Sequence, residues 1–578
     1  PNTNRMSFSF EISTALFTNR GLIDGETIRI EGESLNNIGT GRIYGDQLSF
    51  AATHLTNVKE GDSSATIAAR KRLDIGINTL KNLDQSFIFS LGDLHIGGTL
   101  SENGEAVGSA KEIINGSGII EAMGDGKINT TTLLNTDLHL KLGINESREY
   151  FHQVAKATDS QRFTVDKDGI FAWNKKRSEA WFQFYDGRPT QYQNDWIGWR
   201  YNRTTKTSKI DVQTPGKILI GGHLTLTGDH LKNQYSKLLV GKSLILGEKP
   251  ITQNLSHQTL SEGSATLINE DVIGNIDRLD KGSVFKWVHY RSRGLKKSHG
   301  HKDTDHKHYE VAHPTEHFNF NVVKNHIGDP EAVRKESDNT SIAVHTPANV
   351  ISPVENTLRL PNQSLYKINP HVDSHYIVET DPRFADKRQW LSSDYMFHAL
   401  RADPQNMLKR LGDGFYEQRL INEQINQLTG RRFLEGYTSD YEQYKALMDN
   451  GLYYAKKWNL TPGVALTAAQ MKELTSDLVW FEKRETQLPN GEKINVLAPK
   501  VYLSRRNSKI NGEGSLISAH QVIIHGMNQV DNSGTILGNS SLSITAQNIK
   551  NNDGRLQANH LSLSVQNELL NLGGTFEA

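Results

Sequence analysis

Six histidines lie close together in the sequence, and imidazole is a good ligand for zinc, copper or nickel. They are His299, His301, His306, His308, His313 and His317. The alternating spacing in this set puts neighbouring imidazoles on one face of a strand. Such a face can bind metal, with His299, His301, His306 and His308 as candidate ligands, or it can gain charge near pH 6 and act as a switch. A polar, Lys-rich loop in which the histidines have no specific role is the third interpretation. The chain lacks a His-Glu-x-x-His motif, and we expect it to fold without metal or cofactor.

Aromatic and basic residues are interleaved between positions 173 and 203. Trp, Tyr and Arg are the usual anchors of protein interfaces and of surfaces that stack on sugars. A small β-hairpin extension, whose aromatic residues form a core of their own, is the alternative. Lys plus Arg and Asp plus Glu both number 65, so we expect no nucleic-acid partner. The candidate receptor contacts here and further along the chain are Trp173, Trp181, Trp196, Trp199, Tyr201, Trp287, Tyr290 and Tyr309.

Four carboxylates further along the chain are candidates for a hydrolytic pair: Glu379, Asp381, Asp413 and Glu417. Each also has a structural explanation, because Asp381-Pro382 is a turn signal and Asp413-Gly414 lies at a helix break, and Arg383 or Arg419 can pair with the acids. The 578 residues include no Cys, which excludes thiol catalysis and disulfides. A nucleophile elbow and a phosphate-binding loop are also absent. We therefore expect that the protein is not an enzyme.

The elements that must position these residues are indicated by a 20-residue repeat near the C-terminal end. Its glycines are Gly514, Gly534, Gly554 and Gly574, and the same spacing recurs in Asp531, Asn551 and Asn571. Between them, runs such as 542–545 alternate apolar and polar residues, which is typical of half-buried strands. The turns are rich in Asn, Asp and Gly, which tolerate positive φ. We expect Gly534 to reject a β-branched side chain if its turn requires that conformation. Short strands and tight turns that repeat in this way predict a right-handed parallel β-helix.

The period also predicts the domain organisation, because it is lost in two long stretches. A helical pattern replaces it after residue 403, with capping boxes at 439–442 and 467–470 and a hairpin signal at 489–491. The fold class is therefore mainly β, a parallel β-helix with extra-helical insertions and an inserted α+β domain. The predicted segments are β-helix coils at 1–145, an aromatic-rich insertion at 146–212, coils at 213–250, an irregular His-rich insertion at 251–363, the α+β domain at 364–502 and coils at 503–578.

Several stretches of the insertions resemble the filamentous haemagglutinin family. They are NDWIGWRYNR at 194–203, YIVETDPRF at 376–384, WLSSDY at 390–395, RLGDGFYEQR at 410–419 and LTGRR at 428–432. The family consists of large two-partner-secretion exoproteins and includes the contact-dependent growth inhibition toxins of the CdiA type. The resemblance covers most of 146–503, and the flanking coils are similar to haemagglutinin repeats.

The resemblance implies that this chain is the central, receptor-binding segment of a secreted filamentous toxin at the surface of a Gram-negative bacterium. Its expected partners are an outer-membrane protein or lipopolysaccharide of a neighbouring bacterium, and an outer-membrane secretion partner. The alternatives are a host-cell adhesin of the same family and, more remotely, a glycan-cleaving β-helix. We expect a monomeric rod that is an internal fragment of a longer fibre. Recognition is expected in the insertions, first in 251–363 and second in 173–203.

Overall fold

The computed structural model describes residues 9–174, 179–247, 265–291, 299–320, 357–371, 373–385, 390–401, 407–504 and 514–578. The chain forms two compact units. The first comprises Pro1–Leu140, Gln213–Val272 and Asn321–Ala578, and the second comprises Lys141–Val212 and Ile273–Phe320.

The first unit contains a parallel β-helix, as the repeat predicts. Successive coils pair in parallel along their whole length, for example where Leu22–Ile38 lies beside Arg42–Glu60. Its strands are β1 (Ser9–Asn19), β2 (Leu22–Ile38), β3 (Arg42–Glu60), β4 (Ser63–Ser64), β5 (Thr66–Leu83), β6 (Phe87–Ser90), β7 (Asp93–Gly97), β8 (Thr99–Leu100), β9 (Ala106–Val107), β10 (Ala110–Gly116), β11 (Ile119–Ala122), β12 (Gly126–Thr136), β19 (Lys217–Ile220), β20 (Leu224–Thr227), β21 (His230–Gln234), β22 (Lys237–Val240), β23 (Ser243–Gly247), β24 (Thr266–Glu270), β34 (Leu516–Asn532), β35 (Thr535–Asn552), β36 (Arg555–Leu572) and β37 (Thr575–Glu577).

The β-helix is continuous across both insertions. Strand β12 pairs with β20 and β21 on the far side of the first insertion, and β22, β23 and β24 pair with β34 across the second. Burying apolar side chains in a column holds the coils together. One such column consists of Ile30, Phe50, Ile75, Ile96, Ile128, Leu226, Leu246, Ile524, Ile544 and Leu563.

The boundaries of the coils differ from the predicted ones. The first block of coils ends at Thr136, and residues 141–145 belong to the second unit. Strand β24 returns to the β-helix from within the predicted insertion 251–363, because Leu267 is buried in the core and the strand pairs with β21 and β34. A single strand of five residues is too short to be recognised from a 20-residue period. Residues 251–264 and 321–356 of that insertion lie outside the described residues.

A ladder of asparagine side chains runs along one corner of the β-helix. Each Nδ2 except the last donates to the Oδ1 of the asparagine one coil further on, over 2.8 to 2.9 Å. Ten of the eleven side chains are buried, which makes these bonds necessary, since an unpaired buried amide is costly. The ladder consists of Asn19, Asn37, Asn57, Asn82, Asn115, Asn135, Asn233, Asn269, Asn532, Asn551 and Asn571.

The ladder explains the glycines of the repeat and corrects two details of the prediction. A Cβ on Gly534 would lie 2.4 Å from the carbonyl oxygen of Ser515 and 2.7 Å from Asn269 Nδ2. Gly534 is therefore required for close approach, and among the four glycines of the repeat only Gly514 has a positive φ. Asn532, and not Asp531, is the ladder residue, because register shifts in β34 and β35 break the strict period by one residue.

An α+β domain follows in the same unit and contains a six-stranded sheet in the order β28-β32-β33-β31-β30-β29. The predicted hairpin joins β32 and β33, and Thr467 with Gln470 forms the predicted capping box. Its elements are β28 (Thr357–Leu358), β29 (Tyr366–Ile368), β30 (Tyr376–Thr380), α1 (Asp394–Ala399), β31 (Arg410–Gly412), α2 (Gly414–Thr429), α3 (Asp440–Trp458), α4 (Ala468–Lys472), β32 (Leu478–Gln487) and β33 (Lys493–Tyr502).

The α+β domain packs against the side of the β-helix. Phe384 and Phe415 contact the rings of Tyr44 and Phe89, with centroid separations of 5.4 to 5.8 Å. Beside them, the buried carboxylate of Glu121 on β11 accepts from Arg419 over 2.8 Å and pairs with Arg432 over 2.9 Å. Arg432 also pairs with Asp440 at the start of α3, over 3.1 Å. These charges remain buried because each has an opposite partner.

The second unit joins the two insertions in one antiparallel sheet in the order β14-β13-β18-β25-β26, with β27 paired to β25. Residues 273–291 and 299–312 therefore form strands, where the sequence predicts an irregular stretch. These strands form because β25 pairs with β18, which is distant in sequence, and such pairing leaves no short-range signal. The strands are β13 (Lys141–Lys156), β14 (Phe163–Thr164), β18 (Trp196–Val212), β25 (Ile273–Arg291), β26 (His299–Ala312) and β27 (Glu316–Asn319), with a small sheet of β15 (Gly169–Asn174), β16 (Glu179–Phe184) and β17 (Gln191–Gln193).

Replacing one rung of the ladder should destabilise the β-helix much more than replacing its neighbour in sequence. Asn37 bonds to Asn19, Asn57 and the carbonyl oxygen of Thr66. We expect Asn37→Ala to lower the free energy of unfolding by about 2 to 4 kcal/mol, since it leaves buried partners unpaired. The control is Asn36→Ala, which removes an amide that is only partly buried and bonds weakly to Ser34. Equal denaturation midpoints for the two variants would contradict a structural role for the ladder.

Candidate binding surface of the second unit

One face of the second unit's sheet carries a stack of aromatic rings and guanidinium groups. The Arg162 guanidinium lies 4.0 Å from the centroid of the Trp199 ring and donates to the Tyr309 hydroxyl over 3.2 Å. Tyr201 contacts Tyr309 and is stacked on Phe151, with both centroid separations 5.2 Å. Register explains the arrangement, because Phe151 is directly opposite Tyr201 in the pairing of β13 with β18. We call Phe151, Arg162, Trp199, Tyr201 and Tyr309 the arginine–aromatic surface.

An ion pair with a buried carboxylate on β25 supports this surface. Asp280 accepts two hydrogen bonds from Arg203, over 2.7 and 2.9 Å, and lies 2.8 Å from His313 Nε2. Burial would raise the pKa of Asp280, but the hydrogen bonds from Arg203 and His313 outweigh burial and hold that pKa below its usual value. Arg203 also lies over the Phe151 ring, 5.0 Å from its centroid. The pair therefore fixes Arg203 and the rings above it.

Glycine provides the space for the Tyr201 ring. Gly282 is opposite Tyr201 in the pairing of β18 with β25. A Cβ there would lie 2.7 Å from Tyr201 Cβ and 2.0 Å from the carbonyl oxygen of Arg200. The bare backbone at this position lets the tyrosine ring lie close to the strand.

Other predicted aromatic residues lie on the opposite face of the sheet, in a separate cluster. Trp196 has no exposed surface and belongs to the core that the small sheet of β15, β16 and β17 covers. Trp287 packs against that core and lies 4.9 Å from the ring of Trp173, which is 42% exposed. Trp181 contacts Tyr192 on the small sheet, at 6.3 Å.

The eight predicted contact residues therefore do not form one patch. Trp199, Tyr201 and Tyr309 come together on the arginine–aromatic surface, although Tyr201 itself is buried there. Trp196 serves as core, as the hairpin-core alternative has it. The side chain of Tyr290 lies outside the described residues.

Sequence reasoning missed Phe151 and Arg162, because both precede the Trp-rich segment. The alternation of residues in β13 was the available signal for Phe151. The pairing of β13 with β18 places this phenylalanine opposite Tyr201, which is 50 residues further along the sequence. A loop residue such as Arg162 carries no comparable pattern.

The histidines of the cluster do not converge in the described part of the chain. His306 is stacked on Phe285, 5.6 Å away, and His308 lies 3.1 Å from Glu310. Within the described ranges no group of three His, Asp or Glu side chains could hold a metal ion. The side chains of His299 and His301 lie outside those ranges.

The four candidate catalytic carboxylates have separate contacts. Asp413 caps helix α2 and accepts from the backbone and hydroxyl of Thr380. Asp381 pairs with Arg42 of the β-helix over 2.8 Å, and Glu379 accepts from Ser374 over 2.9 Å. Glu417 is buried, and accepts from Ser393 over 2.6 and 2.8 Å and from Tyr444 over 3.1 Å. Arg419 pairs with Glu121 instead of these acids.

A cleft of about 420 Å³ lies between the β-helix and helix α2 within the first unit. Five basic and two acidic side chains line it, and both acids are paired, because Glu121 binds Arg419 and Arg432 while Glu423 binds Lys217. The paired charges give this cleft a structural role in docking the α+β domain.

Comparison with known proteins relates the chain to one group of toxins. It is 27% identical over 557 residues, covering 84% of this chain, to the toxin CdiA of Yersinia pestis. The chain is therefore similar to CdiA toxins over most of its length. It spans only 16% of that relative's length. A tRNA nuclease CdiA-2 of Burkholderia pseudomallei is 35% identical over 38% of this chain and 7% of its own length. A 16S rRNA endonuclease CdiA of Enterobacter cloacae is 34% identical over 34% of this chain and 6% of its own length.

These names correct the prediction that the protein is not an enzyme. CdiA relatives are named as a tRNA nuclease and as a 16S rRNA endonuclease. The sequence prediction failed because it weighed only the motifs within this chain, which matches 7% or less of each of those two proteins.

Two other comparisons found no match, either to a family model or to a solved structure. Among the helices that the structure describes, none is long and apolar enough to cross a membrane.

Glu417 predicts a pH dependence for the α+β domain. Burial raises the pKa of Glu417 to about 7, against the hydrogen bonds from Ser393 and Tyr444. Because the folded pKa lies above the unfolded value, the folded state binds the extra proton between about pH 4.5 and 7. The stability that this proton provides is complete below that window and is lost as the pH rises through 7. The loss is on the order of 3 kcal/mol.

We expect Glu417→Gln to remove this loss, because an amide keeps the same neighbours without ionising. The measurement is the free energy of unfolding at pH 5 and pH 8, compared between wild type and variant. Glu442→Gln, at an exposed position of α3, should leave the wild-type pH dependence intact. A Glu417→Gln variant that loses as much stability as wild type between the two pH values would refute the assignment.

Proposed function

We propose that this chain is a receptor-binding segment of a contact-dependent growth inhibition toxin, and that the arginine–aromatic surface of the second unit makes the contact. The receptor would be an outer-membrane protein or lipopolysaccharide of a neighbouring bacterium. The parent protein would be secreted to the bacterial surface through an outer-membrane partner. The nuclease activity named for the relatives would then act in the bound cell.

The observation that carries the proposal is that two separate insertions build one sheet. Strands β13 and β18 come from the first insertion and β25 and β26 from the second, and they pair over most of their length. A solenoid tends to place its insertions where they bind partners. A unit built from two insertions suits recognition better than stability, since the β-helix is continuous without it.

The chemistry of the surface suits an interface. Binding energy in protein interfaces concentrates in a few Trp, Tyr and Arg residues with well-packed surroundings. Arg162 is held by Trp199 and by the Tyr309 hydroxyl, so its guanidinium is ordered before a partner arrives. Preorganisation of this kind lowers the entropy cost of binding.

The relatives support a role that is independent of the nuclease substrate. The tRNA nuclease and the 16S rRNA endonuclease match this chain at 35% and 34% identity. The identity to this chain is therefore nearly the same whether the relative's name specifies tRNA or 16S rRNA. A step that such toxins share, such as contact with the neighbouring cell, fits this pattern.

Two substitutions test the surface directly. We expect Arg162→Ala and Trp199→Ala each to weaken binding of the chain to receptor-bearing bacteria by roughly tenfold or more, since each removes a packed anchor. Binding is measured by flow cytometry with the labelled chain against a panel of bacterial strains. Circular dichroism melting checks that both variants keep the fold.

The control is Arg20→Ala in the β-helix, which removes an exposed ion pair with Glu60 and should leave binding unchanged. Wild-type binding by both surface variants, with Arg20→Ala also unchanged, would move the receptor site elsewhere in the chain. Loss of binding in Arg20→Ala alone would move it to the β-helix.

A further inference from the structure

Strand β13 has an open edge. It pairs with β18 on one side, and on the other it pairs only with β14, through Gln153 and Val154. Among the described residues, no strand lies against the outer edge of residues 142–151. An unpaired edge offers a row of N–H and C=O groups to another strand.

The even-numbered residues of β13 direct their backbone N–H and C=O groups toward this open edge. The carbonyl oxygen of His152 accepts from the N–H of Val165, on the β14 side of the strand. Backbone groups alternate in direction along a strand, so Leu142, Ile144, Glu146, Arg148 and Tyr150 also point outward. The odd-numbered residues bond to β18.

Apolar side chains are exposed along the edge of β13. Leu142, Ile144 and Tyr150 are 47%, 64% and 60% exposed, all on one face of the sheet. The opposite edge of the sheet is different: β26 has a register shift opposite Val284–Lys286 and a positive φ at Asp305. Irregularities of that kind discourage edge pairing, and β13 pairs with β18 without a register shift between residues 142 and 156.

The sequence of this edge is complementary to itself. When two copies are placed antiparallel about Ser147, Glu146 lies opposite Arg148 and Ile144 lies opposite Tyr150. Opposite charges, and an aromatic with a β-branched residue, are favourable cross-strand pairs. On the other face, Gly143 lies opposite Phe151, and an aromatic ring covers a glycine well.

We propose that β13 pairs with β13 of a second copy of this chain, antiparallel and in the register centred on Ser147, so that the two sheets become one. Residues 144, 146, 148 and 150 of each copy would then exchange about eight backbone hydrogen bonds. The contact is isologous, as a two-fold symmetric dimer requires. It replaces the monomeric rod expected from the sequence, and among the residues of the arginine–aromatic surface only Phe151 lies on the paired strand.

A single cysteine tests the register, because the chain has no Cys of its own. In the proposed dimer Ser147 faces Ser147 as a non-hydrogen-bonded pair, with Cα atoms about 4.5 Å apart, which is within the range for a disulfide. We expect Ser147→Cys to form a covalent dimer under mild oxidation. Asn145→Cys is the matched control, since its two thiols would be four residues apart along the strands, roughly 13 Å, and should not cross-link.

A charge swap tests the same register without cross-linking. Glu146→Arg or Arg148→Glu alone would place like charges opposite each other, and we expect each to weaken dimerisation at least tenfold in sedimentation equilibrium. The double variant restores opposite charges and should recover the dimer. Glu310→Arg, on the other edge of the sheet, should have no effect.

The outcomes are distinct. Cross-linking at 147 but not at 145, together with rescue by the double swap, supports the proposal. A chain that sediments as a monomer at all concentrations and does not cross-link at 147 overturns it. If the chain is monomeric and the edge variants instead weaken binding to bacteria, the strand that pairs with β13 belongs to the receptor, and the second copy is excluded as its partner.

Discussion

Hydrogen bonds between buried asparagine side chains hold one corner of every main coil of this β-helix. Each amide donates to the next asparagine and, in most coils, also to a backbone carbonyl oxygen at the corner, as Asn115 does to that of Gly118. Because the amides are buried, a coil out of register would leave several of them unpaired at once. The ladder therefore specifies register, and the aliphatic columns supply most of the burial. It also explains why glycine follows so many of these asparagines, since a Cβ would collide with the amide of the rung.

Both long insertions leave the β-helix at this corner. The first begins after Asn135 and Thr136, and the second begins after Asn269 and Glu270. In each case the amide still bonds across to the next asparagine, over 2.8 Å. A corner closed by side chains does not require a short backbone connection, so the chain can leave for many residues and return in register. The second unit is the consequence, because strands from the two departures pair with each other.

The α+β domain is attached by a different device, a buried carboxylate. Glu121 provides the only acidic side chain of β11, and it meets Arg419 and Arg432 from helix α2 and the segment that follows it. Separating the surfaces would leave buried charges without partners, which costs more than the pair contributes when it is formed. The aromatic contacts of Phe384 and Phe415 add apolar burial beside it. The charges at this interface must therefore stay balanced, which constrains both the β-helix and the α+β domain.

Local patterns in the sequence were enough for the fold class, the β-helix, the hairpin of β32 and β33 and the caps of the α+β domain. Those features depend on residues that are close in sequence or separated by a regular period, such as Thr467 with Gln470 or Gly554 with Gly574. The composite sheet, the return of β24 and the pairing of Glu121 with Arg419 were decided by the tertiary structure. They join residues tens to hundreds of positions apart, and no local pattern records which strand edge or charge will meet which. The same holds for the arginine–aromatic surface: the sequence by itself determined that Trp199 and Tyr201 alternate along a strand, and only long-range pairing decided that Phe151, Arg162 and Tyr309 would join them.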